Sequence, residues 1–386
     1  MRAMLVTGFY PGKRIGGSEY QTSLLAQGLA AKGHDVVFLA SAAGREGRSE
    51  TDGITLREIP GWRETGWQRH RQLVADVLKE TESDICYVRL LTELSSISVL
   101  CQPVHIPVVS ASSSLREVSP LLTGYYPVET FAHLRSGRTV PHLRSFMAIR
   151  SSAAHVCNTR ALQRRIQRWF PNKPIRTIYN GQPVPLDDEL HTQSTGQIIW
   201  VNNLKRRKRP HLFIELARRL PEYRFVMVGG KPAGGRYAET LDRMLQAAPA
   251  NFEYLGSRPL DKVNTLIQAS DLLLYTSKAG SEGFGNSFLQ AWFRAVPTVS
   301  LSCALDGILA RESIGRLCET FEQLVSSVGE LMGDETSRLE MGRRARAYAV
   351  SHHSTEKMVT GYEALFQEVL NGVDGSQAPA PMEDEA

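Results

Sequence analysis

MLVTGFYPGKRIGGSEYQTSLLAQGLAAKGHDVVFLA, residues 4–40, decides the fold. MLVTGFY reads as a short apolar strand and YPGKRIGGSEY as a glycine-rich loop. QTSLLAQGLAAKG then has the spacing of an amphipathic helix, and HDVVFLA is a second buried strand. Strand, loop, helix and strand in that order make a βαβ unit. Such a unit implies a parallel sheet covered by helices, because parallel strands need a crossover rather than a tight turn.

Working outward, ICYVRL, IPVVSAS and AAHVCN continue the strand series. The chain then changes character at IRTIYNGQPVPLDDELHTQSTGQ, which is rich in Pro, Gly and polar residues and reads as a boundary near 180–196. Beyond it the alternation restarts. IIWVNN, YRFVMVGG, NFEYLGS, DLLLYTS and PTVSLS read as strands, separated by helical segments such as PHLFIELARRL and SFLQAWFRA. The expected architecture is α/β, with two Rossmann-like parallel-sheet domains facing a cleft. The first spans residues 1–181 and is completed by a C-terminal helix near 355–370. The second spans 182–354, and 371–386 is a disordered acidic tail. Ligands of such sheets are expected at the carboxyl ends of the strands.

Composition narrows the class. Apolar residues make up 42% of the 386 and charged residues 22%, the balance of a soluble globular protein. No run approaches the ~20 apolar residues of a membrane helix. The five cysteines are scattered without metal-type spacing, which suits reduced thiols and a cytoplasmic location. The net charge of +5 is unevenly spread: Thr130 to Leu186 holds no acid and ten basic residues. This segment is expected to meet an anionic membrane surface at the inner face of the cytoplasmic membrane, with Trp169 and Phe170 as a shallow anchor. No nucleic-acid partner is expected.

Three clusters carry chemistry. Gly12 and Gly16-Gly17 do not fit G-x-G-x-x-G, and the strand HDVVFLA ends at Ser41 rather than at an acid, so a dinucleotide site is disfavoured. Gly16 and Gly17 instead allow main chain to approach a phosphate or a sugar, or simply form a turn. NNLKRRKRP, residues 202–210, follows the first strand of the second half. A cation there faces the cleft, and Lys208, next to the helix-starting Pro210, is placed for a diphosphate. In SEGFGNSFLQAW, residues 281–292, Glu282 precedes the helix start Gly283-Phe284-Gly285-Asn286. Unsatisfied N–H groups at a helix start suit phosphate oxygens, whereas a carboxylate suits hydroxyls. Gln290 lies about a turn inside the helix and suits a further hydroxyl. A sugar on a nucleoside diphosphate fits all three clusters. Complementing the helix dipole is the plainer role for Glu282.

These segments, with GGSEYQTSLLAQGLAAKGHDV, IYNG and E-G-F-G-x-x-x-L-x-A, resemble the GT-B glycosyltransferases of family 4. The resemblance spans roughly residues 3–370 and points to a branch that assembles bacterial polysaccharide and exopolysaccharide. It implies a retaining transferase moving a sugar from a nucleoside-diphosphate sugar to a glycan or lipid-linked acceptor. Glu282 would contact the donor sugar, Lys208 the diphosphate, and no metal or other cofactor would be needed. Three departures stand out. Gln290 replaces the acid that holds the ribose, and Asn203 replaces an Arg, with Arg206, Arg207 or Arg209 as substitutes. Ser112 and Ser113 stand where many members have a His. Alternatives are a GT-B phosphorylase or nucleotide-sugar epimerase, or a non-catalytic protein that binds anionic polymers.

Overall fold

The computed structural model describes residues 1–8, 16–42, 46–61, 67–89, 97–114, 141–280 and 283–372. The chain divides into two compact units, one of Met1–Tyr179 with the chain from Thr355 onward, the other Asn180–Ser354.

In the first unit, β1 (Arg2–Val6), β2 (Asp35–Ala42), β3 (Gly47–Thr51), β4 (Ile54–Pro60), β5 (Ile85–Arg89), β6 (Val108–Ser112), β7 (Ala154–Cys157) and β8 (Ile175–Thr177) form one sheet. Its order is β3-β4-β2-β1-β5-β6-β7-β8, parallel throughout except for the antiparallel β3–β4 pair. Met4 and Val6 of β1 enter one core while Ala3 and Leu5 enter the other, so both faces of the strand are buried. That is why its sequence is apolar without alternation. Helices α1 (Gly17–Ala31), α2 (Trp67–Thr81), α3 (Pro141–Ser151) and α4 (Arg160–Gln167) cover the sheet. The C-terminal helix, Thr355–Leu370, packs against α1. Its Tyr362 meets Tyr87 of β5 edge-on at 5.3 Å, and Phe366 is fully buried beside them.

Two strands escape the apolar pattern. Every residue of β3 is exposed, as suits a polar edge strand. β8 falls inside the stretch that reads as a linker, because Ile175–Thr177 is too short to show a period. Phe170 is a correction to the expected surface anchor. It is only 9% exposed and stacks on Phe146 at 4.6 Å within the core. Residues 130–140 of the acid-free segment and 373–386 of the expected tail lie outside the described residues.

In the second unit, β9 (Gln197–Val201), β10 (Arg224–Val228), β11 (Phe252–Tyr254), β12 (Leu272–Tyr275), β13 (Thr298–Leu301) and β14 (Gly315–Cys318) form a parallel sheet in the order β11-β10-β9-β12-β13-β14. Helices α5 (Pro210–Arg219), α6 (Arg236–Gln246), α7 (Leu260–Gln268), α8 (Asn286–Phe293), α9 (Phe321–Gly333) and α10 (Glu335–His353) complete it. A buried carboxylate ties its lower end: Asp271 accepts from the backbone N–H of Thr195 and Gly196 and faces His191 at 3.1 Å. The strand order reverses between β9 and β12, since the chain leaves β9 toward β10 and β12 toward β13. Such a switch point opens a crevice at the carboxyl ends of the two strands. Among the described residues no helix is long and apolar enough to cross a membrane.

Candidate active site

At the switch point of the second unit, the loops leaving β9 and β12 are stitched together. Thr276 Oγ1 accepts from Trp200 Nε1 at 2.9 Å and donates to the Lys208 carbonyl at 2.7 Å. Arg209 reaches back to the carbonyls of Thr276, Ser277 and Leu301 and to Ser302 Oγ. Its backbone is left-handed at φ 51°, an uncommon conformation for a residue with a Cβ, and it caps α5. This corrects Arg209 as a substitute phosphate ligand, because its guanidinium is already used on strand ends. Arg206 is exposed and lies 4.7 Å over the ring of Tyr237, while Arg207 is half-buried.

The stitching turns Lys208 inward. It is 7% exposed, and its Nζ donates to Tyr275 Oη at 3.2 Å. Burial first, then neighbouring Arg207, holds its ammonium well below the ordinary pKa. Burial likewise raises the Tyr275 phenol, which therefore stays neutral. An ammonium whose charge is opposed by its surroundings gains most when an anion arrives.

The start of α8 converges on the same phenol. A Cβ on Gly285 would lie 2.9 Å from Tyr275 Oη, so only glycine lets the loop pass this close. Gly285 caps the helix without a side-chain hydrogen bond, and the first turn holds no acid. Phe284 is 3% exposed and sits against Trp292 and the ring of His353, at 5.6 and 4.9 Å. Asn180 donates to the Phe284 carbonyl at 3.1 Å and to Asn286 Oδ1 at 2.9 Å. His353 touches the Asn180 carbonyl, and burial lowers its pKa to about 3, so it packs as a neutral ring. Gly283 and Asn286 are half-buried at this turn. Glu282 lies outside the described residues.

Gln290 is 7% exposed, and its Nε2 donates to Asn264 Oδ1 on α7 at 3.2 Å. Asn203 is exposed at the end of β9, with its Oδ1 close to Gly230 at the end of β10. Lys208, Gly283, Phe284, Gly285, Asn286, Gln290 and Asn203 thus all belong to the second unit, at or near the carboxyl ends of β9 and β12. Asn180, Tyr275, Asn264 and His353 are supporting residues that sequence reasoning missed. Asn180 had a signal in IYNG; the others had none, since contacts between residues 26 to 69 positions apart leave no local trace.

Gly16 and Gly17 belong to the first unit. Gly16 caps α1, and a Cβ there would fall 2.0 Å from Oε2 of Glu19, which is buried in the first helical turn. Ser112, at the end of β6, bonds Nε2 of His155 at 2.8 Å, and Ser110 bonds its Nδ1 at 2.8 Å. Burial, with Lys173 nearby, lowers the His155 pKa to about 3.

Residues 15–184 match the family model "Glycosyltransferase Family 4", and residues 187–348 match "Glycosyl transferases group 1". A curated relative, N-acetyl-alpha-D-glucosaminyl L-malate synthase of Bacillus anthracis, is 24% identical over 226 residues, 52% of this chain and 55% of the relative. The match therefore spans about half the length of that relative. Among solved structures, sucrose-phosphate synthase of Thermosynechococcus elongatus superposes with a TM-score of 0.79 at 13% identity, covering 96% of this chain and 99% of that one. HepE of Anabaena, solved with UDP and glucose, gives 0.72 at 15% identity, covering 95% and 100%. The likenesses to solved structures show the fold.

Proposed function

The chain belongs to the family 4 glycosyltransferases of the GT-B fold, and from that premise we propose a retaining transfer of sugar from a nucleoside diphosphate to an acceptor hydroxyl. The observation that carries the donor chemistry is Lys208, buried at the switch point beside a glycine-capped helix start with no acid in its first turn. The glycosidic bond to the diphosphate breaks as the acceptor oxygen bonds the anomeric carbon on the same face. The acceptor proton passes to the departing diphosphate. Lys208 and the N–H groups at the start of α8 stabilise the charge that develops on the leaving group. Glu282 holds sugar hydroxyls, and Gln290 takes a ribose hydroxyl.

The proposed acceptor is a glycan or lipid-linked glycan at an anionic membrane surface, in polysaccharide assembly. A second reading of the acceptor, a small hydroxy acid, is favoured by the likeness to an L-malate synthase. A thermal-shift screen against UDP-, GDP- and ADP-sugars tests the donor. A native-state ligand at a hundred times its Kd adds ~2.7 kcal/mol of stability. Transfer from the stabilising donor to glycan or to malate then separates the acceptors, and product anomer analysis reads the stereochemistry. No shift and no transfer with any of the three donors would overturn the reading.

A further inference from the structure

Exposed arginines in this protein usually face a carboxylate. Arg218 pairs with Glu215, Arg219 with Glu322, Arg311 with Glu312 and Arg343 with Glu340. Arg150, Arg164, Arg165 and Arg168 do not. All four are exposed, and among the described residues none makes an ion pair. Arg164 and Arg168 share a face of one helical stretch at i,i+4 spacing, where like charges repel. One cation at the end of α4 complements its dipole. Four unpaired guanidinium groups exceed that need.

The same end of the first unit carries exposed apolar surface. Met147 on α3 is 48% exposed, one of the few large hydrophobic side chains left in solvent. On the same helix, Phe146 and Arg150 line an open groove of about 390 Å³ together with the run Trp169–Pro174. Trp169 is half-buried and packs against the core beneath.

We propose that this surface docks on an anionic lipid bilayer, the arginines meeting headgroup phosphates while Met147 and the groove take apolar chain. Charge complementarity selects the occupant, since the groove is lined by Arg150 and Lys173 with no acid, and Arg164, Arg165 and Arg168 stand exposed on the helical stretch that leads into it. The apolar centre favours lipid over nucleic acid, because a phosphate backbone meets the arginines but offers no hydrocarbon to the exposed Met147 and the groove. The placement gives the contact a meaning. Residues 146–150 and 169–174 lie just before β7 and β8, at the amino ends of those strands. The strands' carboxyl ends point the other way. Docking here therefore leaves the carboxyl ends of the first unit's own strands turned from the lipid. The proposal does not depend on the transfer reaction, and its test needs no donor.

The full chain is sedimented with phosphatidylcholine vesicles, with and without one third phosphatidylglycerol, at low and high salt. Wild type is expected to bind only the phosphatidylglycerol vesicles and to release in high salt. Replacing Arg164, Arg165 and Arg168 together by Gln should lower partitioning by roughly a hundredfold. Met147→Gln, at a half-exposed position, should lower it by roughly fivefold and serves the test should the triple variant not fold. A control with Arg218, Arg311 and Arg343 changed to Gln removes the same charge elsewhere and should bind like wild type. Equal loss in that control, binding indifferent to phosphatidylglycerol, or capture of single-stranded RNA without vesicle binding overturns the proposal.

Discussion

Helices α1 and α8 both open on glycine after a central strand, and they carry opposite provisions for an anion. α1 begins at Gly16 and α8 at Gly285, neither capped by a side chain. In α1 the buried Glu19 turns its carboxylate back over the cap, where a Cβ on Gly16 would fall 2.0 Å from it. In α8 the first turn is free of acid, and the glycine passes close to Tyr275 Oη, which also receives the Lys208 ammonium. The positive end of one helix is answered from within. The other has no acid in its first turn, and a buried cation lies beside it. Glycine content alone therefore does not mark a phosphate site; the charge within the first turn does.

The sharpest test of that contrast is to remove its cation. Lys208→Met should lower turnover by roughly a thousandfold, the scale of losing one preorganised donor to a developing anion. It should leave the ligand-free protein as stable or more so, because an opposed buried charge is replaced by an apolar side chain of similar length. Glu282→Ala should have a comparable effect on turnover with the fold intact. Steady-state rates with a verified donor, set beside thermal midpoints, check both. If Lys208→Met keeps near-normal turnover, the second helix start is not the diphosphate site.

Next in size is the effect at Gln290. Its Nε2 is given to Asn264, and among the described residues its Oε1 accepts no hydrogen bond. A hydroxyl of the donor ribose would donate to that oxygen. Gln290→Leu should raise the donor KM about tenfold by leaving the hydroxyl unpaired, with kcat little changed. Gln290→Glu should stay within about tenfold of wild type, since another acceptor takes the same place. Equal kinetics for the Leu variant would mean that the amide only packs on α7.

The contrast also has a pH signature. Lys208 has a folded-state pKa well below its ordinary 10.5. The unfolded chain therefore binds its proton more readily than the folded one between those two values. This contribution to stability is fully present above 10.5 and is lost as pH falls through the depressed folded value. A bound diphosphate favours the ammonium, so donor binding should take up protons over the same range and weaken as pH rises. Calorimetry in two buffers of different ionisation enthalpy measures this uptake. It should be missing in Lys208→Met; an unchanged uptake there would assign the proton to another group.

How far these sites were legible depends on whether the information is local. The βαβ alternation was, because a strand buried on both faces must be apolar throughout: Met4 serves one core and Leu5 the other. The basic loop and the Gly-Phe-Gly turn were also visible, since special backbone and charge leave marks in sequence. The inward turn of Lys208 was less so. Lys205, Arg206, Arg207 and Arg209 look equivalent in sequence, and they are sorted by Thr276 and by strand-end carbonyls far along the chain. The phenol of Tyr275 was hidden for the same reason, as one more apolar position in DLLLYTS. Charge at Arg164 to Arg168 was legible as composition, but its location at the amino ends of the strands required the topology.

The smallest expected effect lies at the helix start that is already answered. Glu19→Gln keeps the shape of the side chain and its contact with Ser18, whose Oγ donates to Oε2 at 3.1 Å. What it removes is the charge that faces the amino end of α1. The stability cost should be ~0.3–1 kcal/mol, the usual value of one acid in a first helical turn. If Gly16 and Gly17 contribute only main-chain approach to a hydroxyl, donor affinity and turnover should change by less than about threefold, because a neutral amide still offers an acceptor oxygen. An amide would also no longer repel phosphate. Should Glu19→Gln tighten binding of the bare nucleoside diphosphate by about tenfold, ~1.4 kcal/mol, the start of α1 would itself reach the diphosphate, with Glu19 acting to weaken that grip. Isothermal titration of the diphosphate against wild type, Glu19→Gln and Lys208→Met distinguishes the cases. A gain from the first substitution that survives the second would place the anion at α1 and end the contrast between the two helices.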